Sequence, residues 1–232
     1  MADIHSLLAS HPDDFHPVVP FDPHIQKLIK LDFTAANPDL TADIINDVQE
    51  FSNYIDSHLK AADALYGIGG YAEHRTVYAR SRVFDAENGE EPRRLHLGLD
   101  IWGPAGTCIY APLDSIVHSF AFNDNYGDYG ATIILSHEYR GLRFYSLYGH
   151  LSLKDLDLKE GIQIKRGAAF AHFGEPHENG HWPPHLHLQL IIDIGLYKGD
   201  YPGVCRFSER ELFLSNCPDP DLLARLAGFV SI

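Results

Sequence analysis

The chain has 232 residues, 45% of them apolar, and a formal net charge of -14. That is enough apolar material for one large all-β domain, or one domain with substantial terminal additions, and the acidity disfavours nucleic acid and anionic membranes, both of which reward Lys and Arg. No stretch approaches the roughly 20 apolar residues of a membrane span, no basic n-region with an apolar run opens the sequence, and Cys108, Cys205 and Cys217 are odd in number and form no CxxC pair, so reduced thiols and a cytoplasmic location are expected.

Residues 1 to about 40, rich in Pro, Asp and His, read as an extended arm with one helical turn at Ile25 to Leu31. From Thr41 to Ala62 the apolar residues Ile44, Ile45, Val48, Phe51, Ile55 and Leu59 recur at helical spacing, with Thr41 as N-cap. That stripe has no partner of its own, so the helix is expected to pack on the domain. Gly67, Gly69 and Gly70 break the pattern before a strand expected at Thr76 to Phe84, and the run DAENGEEPRR is a polar turn. Strands are then expected at Leu95–Ile101, Thr107–Ala111, Ser115–Phe122, Ala131–His137, Leu142–Tyr148, Gln163–Phe173 and His185–Asp193, separated by turn-forming residues. Short strands with no helical pattern between them predict a mainly β fold, an antiparallel sandwich or barrel, with helical N- and C-terminal additions. In the tail, Ser208-Glu-Arg-Glu reads as a capping-box helix start, and Asp219 to Gly228 as a second short helix.

Two of these segments carry chemistry. In LHLGLD, alternation sends His96, Gly98 and Asp100 to one face and Leu95, Leu97 and Leu99 to the other; in PHLHLQL it does the same for His185, His187 and Gln189 against Leu186, Leu188 and Leu190. Two such strands side by side present two histidines and a carboxylate to one ion, and a catalytic zinc keeps its fourth position for water. With 15 histidines in the chain, an HxH turns up roughly once by chance, so neither motif proves a site alone. Strand context, the glycine between His96 and Asp100, and the text separating the two motifs lift the pair above that background. The residues read as a mononuclear zinc hydrolase.

That text resembles the lysostaphin-type, or LytM-like, zinc metalloendopeptidases over residues 96–190. HLGLDIWGPAGTCIYAPLDSIV is similar to the family's HxGxD segment and the stretch after it. NYGDYGATIILSHEYRGLRFYSLYGHL, EGIQIKRGAAFAHFG and PPHLHLQL follow in the family's order. The resemblance implies the family's duplicated hybrid β motif, one zinc per chain held by His96, Asp100 and His187, and two catalytic histidines, His150 of YGHL and His185. It also implies a peptide or murein-derived substrate. His137 fits a slot that supports the site, and His172, His177 and His181 are expected in solvated loops. Gly98 lets the backbone pass close to the metal-bearing strand.

This chain departs from the family pattern in the longer turn EPHENGHWPPHLH, in Gln189 where a glutamate often follows HLH, and in the missing secretion signal. Gln189 removes a charge that would orient a ligand, and the missing signal leaves no evident access to a bacterial cell wall. Upstream, Tyr71, Glu73, Arg75 and Tyr78 are candidate substrate-cleft residues beside a Gly-Gly, with an edge strand of surface aromatics as the alternative. The expected organisation is an arm, helix and Gly-rich segment over residues 1–94, a peptidase domain over 95–193, and a helical tail over 194–232. An arm that plugs the metal's open position rivals simple packing. Two other functions stay open: a non-catalytic metal-binding scaffold of the same fold, and a cupin-like metalloenzyme, which also uses HxH but needs a glutamate a few residues on.

Overall fold

The computed structural model describes residues 4–85 and 89–231. The expected polar turn over 85–94 therefore falls partly outside the described residues, as do the first three residues of the arm. The arm is not extended. It opens with helix α1, Ile4–Ala9, whose Ile4 and Leu8 are buried, and the segment expected as a helical turn contains strand β1, Leu28–Leu31. Lys27 supplies the carbonyl that accepts from Leu65 N–H, so the chain is drawn into a sheet rather than coiled on itself. Val18, Val19 and Leu28 join the main core.

The expected helix is two helices, α2 at Ala42–Asn46 and α3 at Val48–Ala62. Thr41 caps the first through its side chain, as expected. The break falls at Asp47, whose carboxylate accepts from the N–H groups of Gln49 and Glu50 and so starts a second helix. Phe51, Ile55 and Leu59 of α3 are buried. Phe51 meets Phe33, Trp102 and Trp182 at ring separations of 6.0, 5.7 and 6.4 Å, so the stripe covers the domain as its spacing required.

Gly67 and Gly69 do not break structure; they lie in strand β2, Tyr66–Gly69. The strand expected at 76–84 is instead two 3-10 turns, Val77–Arg80 and Arg82–Phe84, the second capped by the Ser81 hydroxyl, which accepts from Val83 N–H. Beyond these, five of the seven expected strands form within a few residues of their predicted ends, while Leu95–Ile101 and Gln163–Phe173 are each broken into two strands that join different sheets. They are β3 (Leu95–His96), β4 (Leu99–Trp102), β5 (Cys108–Tyr110), β6 (Ser115–Asn123), β7 (Gly130–Tyr139), β8 (Leu142–Leu151), β9 (Gln163–Ile164), β10 (Ala169–His172) and β11 (His185–Ile191). In the tail, β12 (Val204–Cys205) precedes helices α4 (Arg210–Asn216) and α5 (Asp221–Ala224), and β13 (Val230–Ser231) follows. No capping box forms: Ser208 N–H is held by Glu91, and the α4 N-cap is Glu209, without a side-chain cap.

Nine strands make one sheet in the order β13-β1-β2-β4-β11-β8-β7-β6-β9. It is antiparallel except where β1 pairs in parallel with β2 and β13. The sheet stays open, so the sandwich reading holds and the barrel does not form. One face, carrying Ile68, Leu99, Ile101, Leu186 and Leu188, packs with Ile109 and Ala171 of the separate β5–β10 pair into the largest core. The opposite face of β4 and β11 carries the polar side chains. The three cysteines are free, and no helix among the described residues is long and apolar enough to cross a membrane.

Candidate metal centre

Strands β4 and β11 run antiparallel with Asp100 opposite His187 and Trp102 opposite His185. Residues directly opposite share a face, so the register alone brings a carboxylate and two imidazoles together. His96 arrives from β3, and a break at Leu97 and Gly98 then re-aims the chain before β4 begins. A Cβ at Gly98 would lie 2.4 Å from His187 Cε1 and 2.8 Å from the Leu188 carbonyl oxygen, so no side chain fits where His187 passes. This is the close backbone approach expected of that glycine.

His96, Asp100 and His187 are all buried and form a group able to hold a metal ion. His96 Nε2 stands 3.0 Å from His187 Nδ1 and 3.2 Å from Asp100 Oδ1, and His187 Nδ1 is 3.1 Å from the same oxygen. The ring partners fix what those atoms are. His96 Nδ1 lies 2.9 Å from the Gly70 carbonyl oxygen, an acceptor only, so that nitrogen donates and Nε2 carries a lone pair. His187 Nε2 lies 3.0 Å from Gln189 Oε1; the Gln189 amide nitrogen donates to the Pro202 carbonyl, which orients its oxygen toward His187. His187 therefore donates at Nε2 and keeps a lone pair at Nδ1. Three acceptors thus converge with no proton assigned between them, an arrangement that a cation relieves. Ligands around a tetrahedral zinc at about 2.0–2.1 Å stand about 3.3 Å apart, and the observed triangle is close to that size. Two imidazoles and one carboxylate are a zinc-type donor set.

Burial followed by the nearby Arg75 charge depresses the His96 pKa to about 4. For Asp100, burial opposes ionisation, but His96 and Arg75 outweigh it and hold the carboxyl well below its usual range. Arg75 Nη1 donates to Asp100 Oδ2 at 2.5 Å, while Oδ1 is the oxygen turned to the histidines.

His150 and His185 are stacked on one another, ring centres 4.1 Å apart. Both donate at Nδ1 to backbone, to the carbonyls of Asn179 and Pro183, each at 2.8 Å, which leaves Nε2 as the basic nitrogen of each ring. The back of His185 lies flat on Trp102, at 3.8 Å and 9°. His150 has φ 62°, a left-handed backbone uncommon for a residue other than glycine and found disproportionately at functional sites. Burial, then proximity of the other ring, holds His150 well below the usual imidazole pKa, and burial brings His185 to about 4. Both line a cavity of about 150 Å³ together with Asp100, His187, Tyr129 and Trp182.

The cleft candidates divide. Arg75 and Tyr78 line this cavity, while Tyr71 and Glu73 do not; the Tyr71 hydroxyl donates to the Cys217 carbonyl and Glu73 pairs with Arg75. Arg75 is 1% exposed and bound to protein on every side, so it faces Asp100 rather than open cleft. No described residue of the arm lines the cavity, so the arm packs and plugs nothing there. His137 sits by a different cavity, bonded to Ser146. His177 and His181 are exposed as expected, whereas His172 is in β10 with its ring on Asp155. Sequence reasoning missed the Gly70 carbonyl, Asn179 and Trp102. Their contacts depend on tertiary neighbours, and only Trp102, an aromatic at the end of the first motif strand, gave any signal.

Residues 94–197 match Peptidase family M23. This segment is an M23-family domain. The M23 domain contains the three metal-type ligands and both stacked histidines, and the metal these residues fit agrees with a metallopeptidase family. Among solved structures, a zinc-containing peptidase from Vibrio cholerae is 26% identical, covering 42% of this chain and 27% of that one, with TM-score 0.33. The catalytic domain of lysostaphin from Staphylococcus simulans is 16% identical over 70% of this chain and 96% of that one, TM-score 0.36. The catalytic domain of the prophage-encoded M23 protein EnpA from Enterococcus faecalis is 21% identical over 52% and 87%, TM-score 0.36. The chain thus spans far less than two thirds of the Vibrio cholerae protein. No curated protein matches in sequence.

Proposed function

We propose that this chain is a zinc-dependent, lysostaphin-type metalloendopeptidase that hydrolyses a peptide amide bond. The observation that carries the reading is the meeting of His96 Nε2, His187 Nδ1 and Asp100 Oδ1 as three lone-pair donors within 3.2 Å of one another, beside two histidines that line a shared cavity. When bound there, zinc supplies an acidified water and a polarised carbonyl.

The chain's own residues do the rest. His185, neutral and with Nδ1 tied to Pro183, takes a proton at Nε2 and passes it to the leaving amine. Trp102 holds the ring flat through that exchange. His150 is an acceptor at Nε2 until it is protonated; once it carries a proton there, it donates to the scissile carbonyl oxygen as negative charge develops. The proton at His150 Nε2 is taken up from solvent before attack and is separate from the one His185 takes, so the stacked pair holds both only until His185 passes its proton to the leaving amine. Trp182 and Tyr129 wall the cavity and reduce the access of bulk water.

The substrate we propose is a peptide, with murein-derived peptides as the first class to try; the net charge of -14 speaks against nucleic acid and anionic membrane. The test is to incubate the zinc-loaded protein with glycine-containing peptides and murein fragments and to read cleavage by mass spectrometry alongside metal content. One zinc per chain with cleavage is expected. Zinc without cleavage across the library would support a scaffold, and iron or manganese in the site would support a cupin-like enzyme; either overturns the proposal.

A further inference from the structure

The M23 match begins at residue 94, yet two of the three metal-type ligands are held from outside by residues upstream of it. The Gly70 carbonyl accepts from His96 Nδ1 and, at 3.3 Å, from Arg75 Nη2. Arg75 spends its other donors on Glu73 at Nε, 2.8 Å, and at Nη1 on Asp100 Oδ2, 2.5 Å, and Tyr78 Oη, 3.3 Å. Its guanidinium also lies 5.1 Å from the Phe33 ring centre. A Cβ at Gly69, the β2 partner of Asp100, would come within 2.7 Å of Arg75 Nη2, so the sheet is bare at the one place the guanidinium lies across it. A planar fork bound at all three nitrogens is rigid in a way that a lysine ammonium is not.

We infer that Arg75 is a positioning residue for the metal ligand Asp100: it occupies Oδ2, so that the carboxylate offers the metal one oxygen, Oδ1, and leaves the remaining position open for water. This rests on the metallopeptidase reading. A carboxylate with both oxygens free can close on a zinc or cobalt ion with both, and the second oxygen then takes the place of the water. Glu73 balances the charge that Arg75 brings, so the device sets geometry without making the pocket repel a cation.

The test is visible absorption of the cobalt-substituted protein, which is intense for four-coordinate cobalt and weaker at higher coordination. The wild-type protein is expected to give the intense, four-coordinate spectrum. Arg75→Met should take up cobalt and zinc in the same stoichiometry but lose absorption intensity as Asp100 binds through both oxygens, and peptide turnover should fall by roughly 10–100-fold. Arg75→Lys, which keeps one donor for Oδ2, should restore the intense spectrum in part. Because Arg75→Met strands Glu73, the double variant Glu73→Gln/Arg75→Met carries the same comparison without a buried unpaired carboxylate. Glu73→Gln alone should keep the wild-type spectrum. An unchanged spectrum in both variants that lack Arg75 overturns the inference even if their melting temperature drops, because a merely structural ion pair lowers stability and leaves coordination alone. A wild-type protein that takes up neither zinc nor cobalt defeats the metallopeptidase reading itself, which is a separate result.

Discussion

Asp100 and His187 are direct register partners across β4 and β11, with ligand atoms 3.1 Å apart. A slip of one residue in that ladder would turn every side chain of β11 to the other face, so the centre depends on the leucines that fix the register as much as on its donors. His96→Ala, Asp100→Ala and His187→Ala are each expected to lose stoichiometric zinc, measured by elemental analysis after dialysis, with the β-rich circular dichroism spectrum retained. Full zinc retained by the His187 variant would remove that residue from the ligand set.

Gly98→Ala changes no donor, yet its Cβ would press on the His187 ring at 2.4 Å with the Leu188 carbonyl at 2.8 Å behind it. The ring cannot retreat while Gln189 holds its Nε2. The expected outcome is metal binding weakened by at least an order of magnitude, together with a stability loss of about 1–3 kcal/mol from overpacking. A chelator competition and a urea melt read the two effects separately.

His150→Ala and His185→Ala should keep zinc and lose turnover by roughly 10²–10³-fold each. Because both rings serve the same addition step, the double variant should cost little more than either single one. A variant that loses metal would make that histidine a ligand. Single-turnover assays on metal-quantified samples decide the matter.

The five candidate residues that the structure brings together were legible because each stands in a motif whose strand alternation or order along the chain groups it with the others. Asp100 and His187 needed only the period of a strand to be grouped, whereas His96 lies on a separate strand in another sheet and was grouped with them by the family order. Arg75 was legible only as a polar residue near a Gly-Gly. Its partner Asp100 lies 25 positions away, and Arg75 itself sits in an isolated bridge to Thr34 just ahead of the segment expected as a strand. Thr76 to Phe84 is rich in β-formers, but the Ser81 cap and Phe33, whose carbonyl accepts from Thr76 N–H, override that local preference. Gln189 shows the reverse case. The missing carboxylate suggested a loosened ligand, but the Gln189 amide nitrogen donates to the Pro202 carbonyl and its oxygen accepts from His187 Nε2.

Acid should destabilise the metal-free protein. Burial holds His137 at about 4, below the ordinary value of 6.5, and the unfolded chain therefore takes up the proton first. The contribution of the neutral ring is complete above pH 6.5 and is lost as pH falls from 6.5 toward 4, a difference of about 3 kcal/mol at the limit. His96, His150 and His185 shift in the same direction and steepen the loss. Urea melts across pH 4–7 check this, and His137→Leu should flatten the slope by about one proton. An unaltered slope would show that His137 is already protonated in the folded state.

Helix α3 reaches the chemistry through aromatic contacts: Phe51 on Trp102, and Trp102 on His185. Phe51→Ala should cost about 3–5 kcal/mol of stability. Trp102→Leu keeps the apolar cover but removes the flat support, so turnover should fall with zinc content unchanged. Equal loss of both in the Trp102 variant would mean the indole serves packing alone.

The nine-stranded sheet ends on one side in β9 and on the other in β13, each only two residues long among the described residues. Long bare strand edges are templates on which a second chain can add itself, and very short outer strands deny it a grip. By laying β13 beside β1, the tail blunts the hydrogen-bonding row of Leu28–Leu31, so a large open sheet is protected from edge-to-edge aggregation without having to close into a barrel.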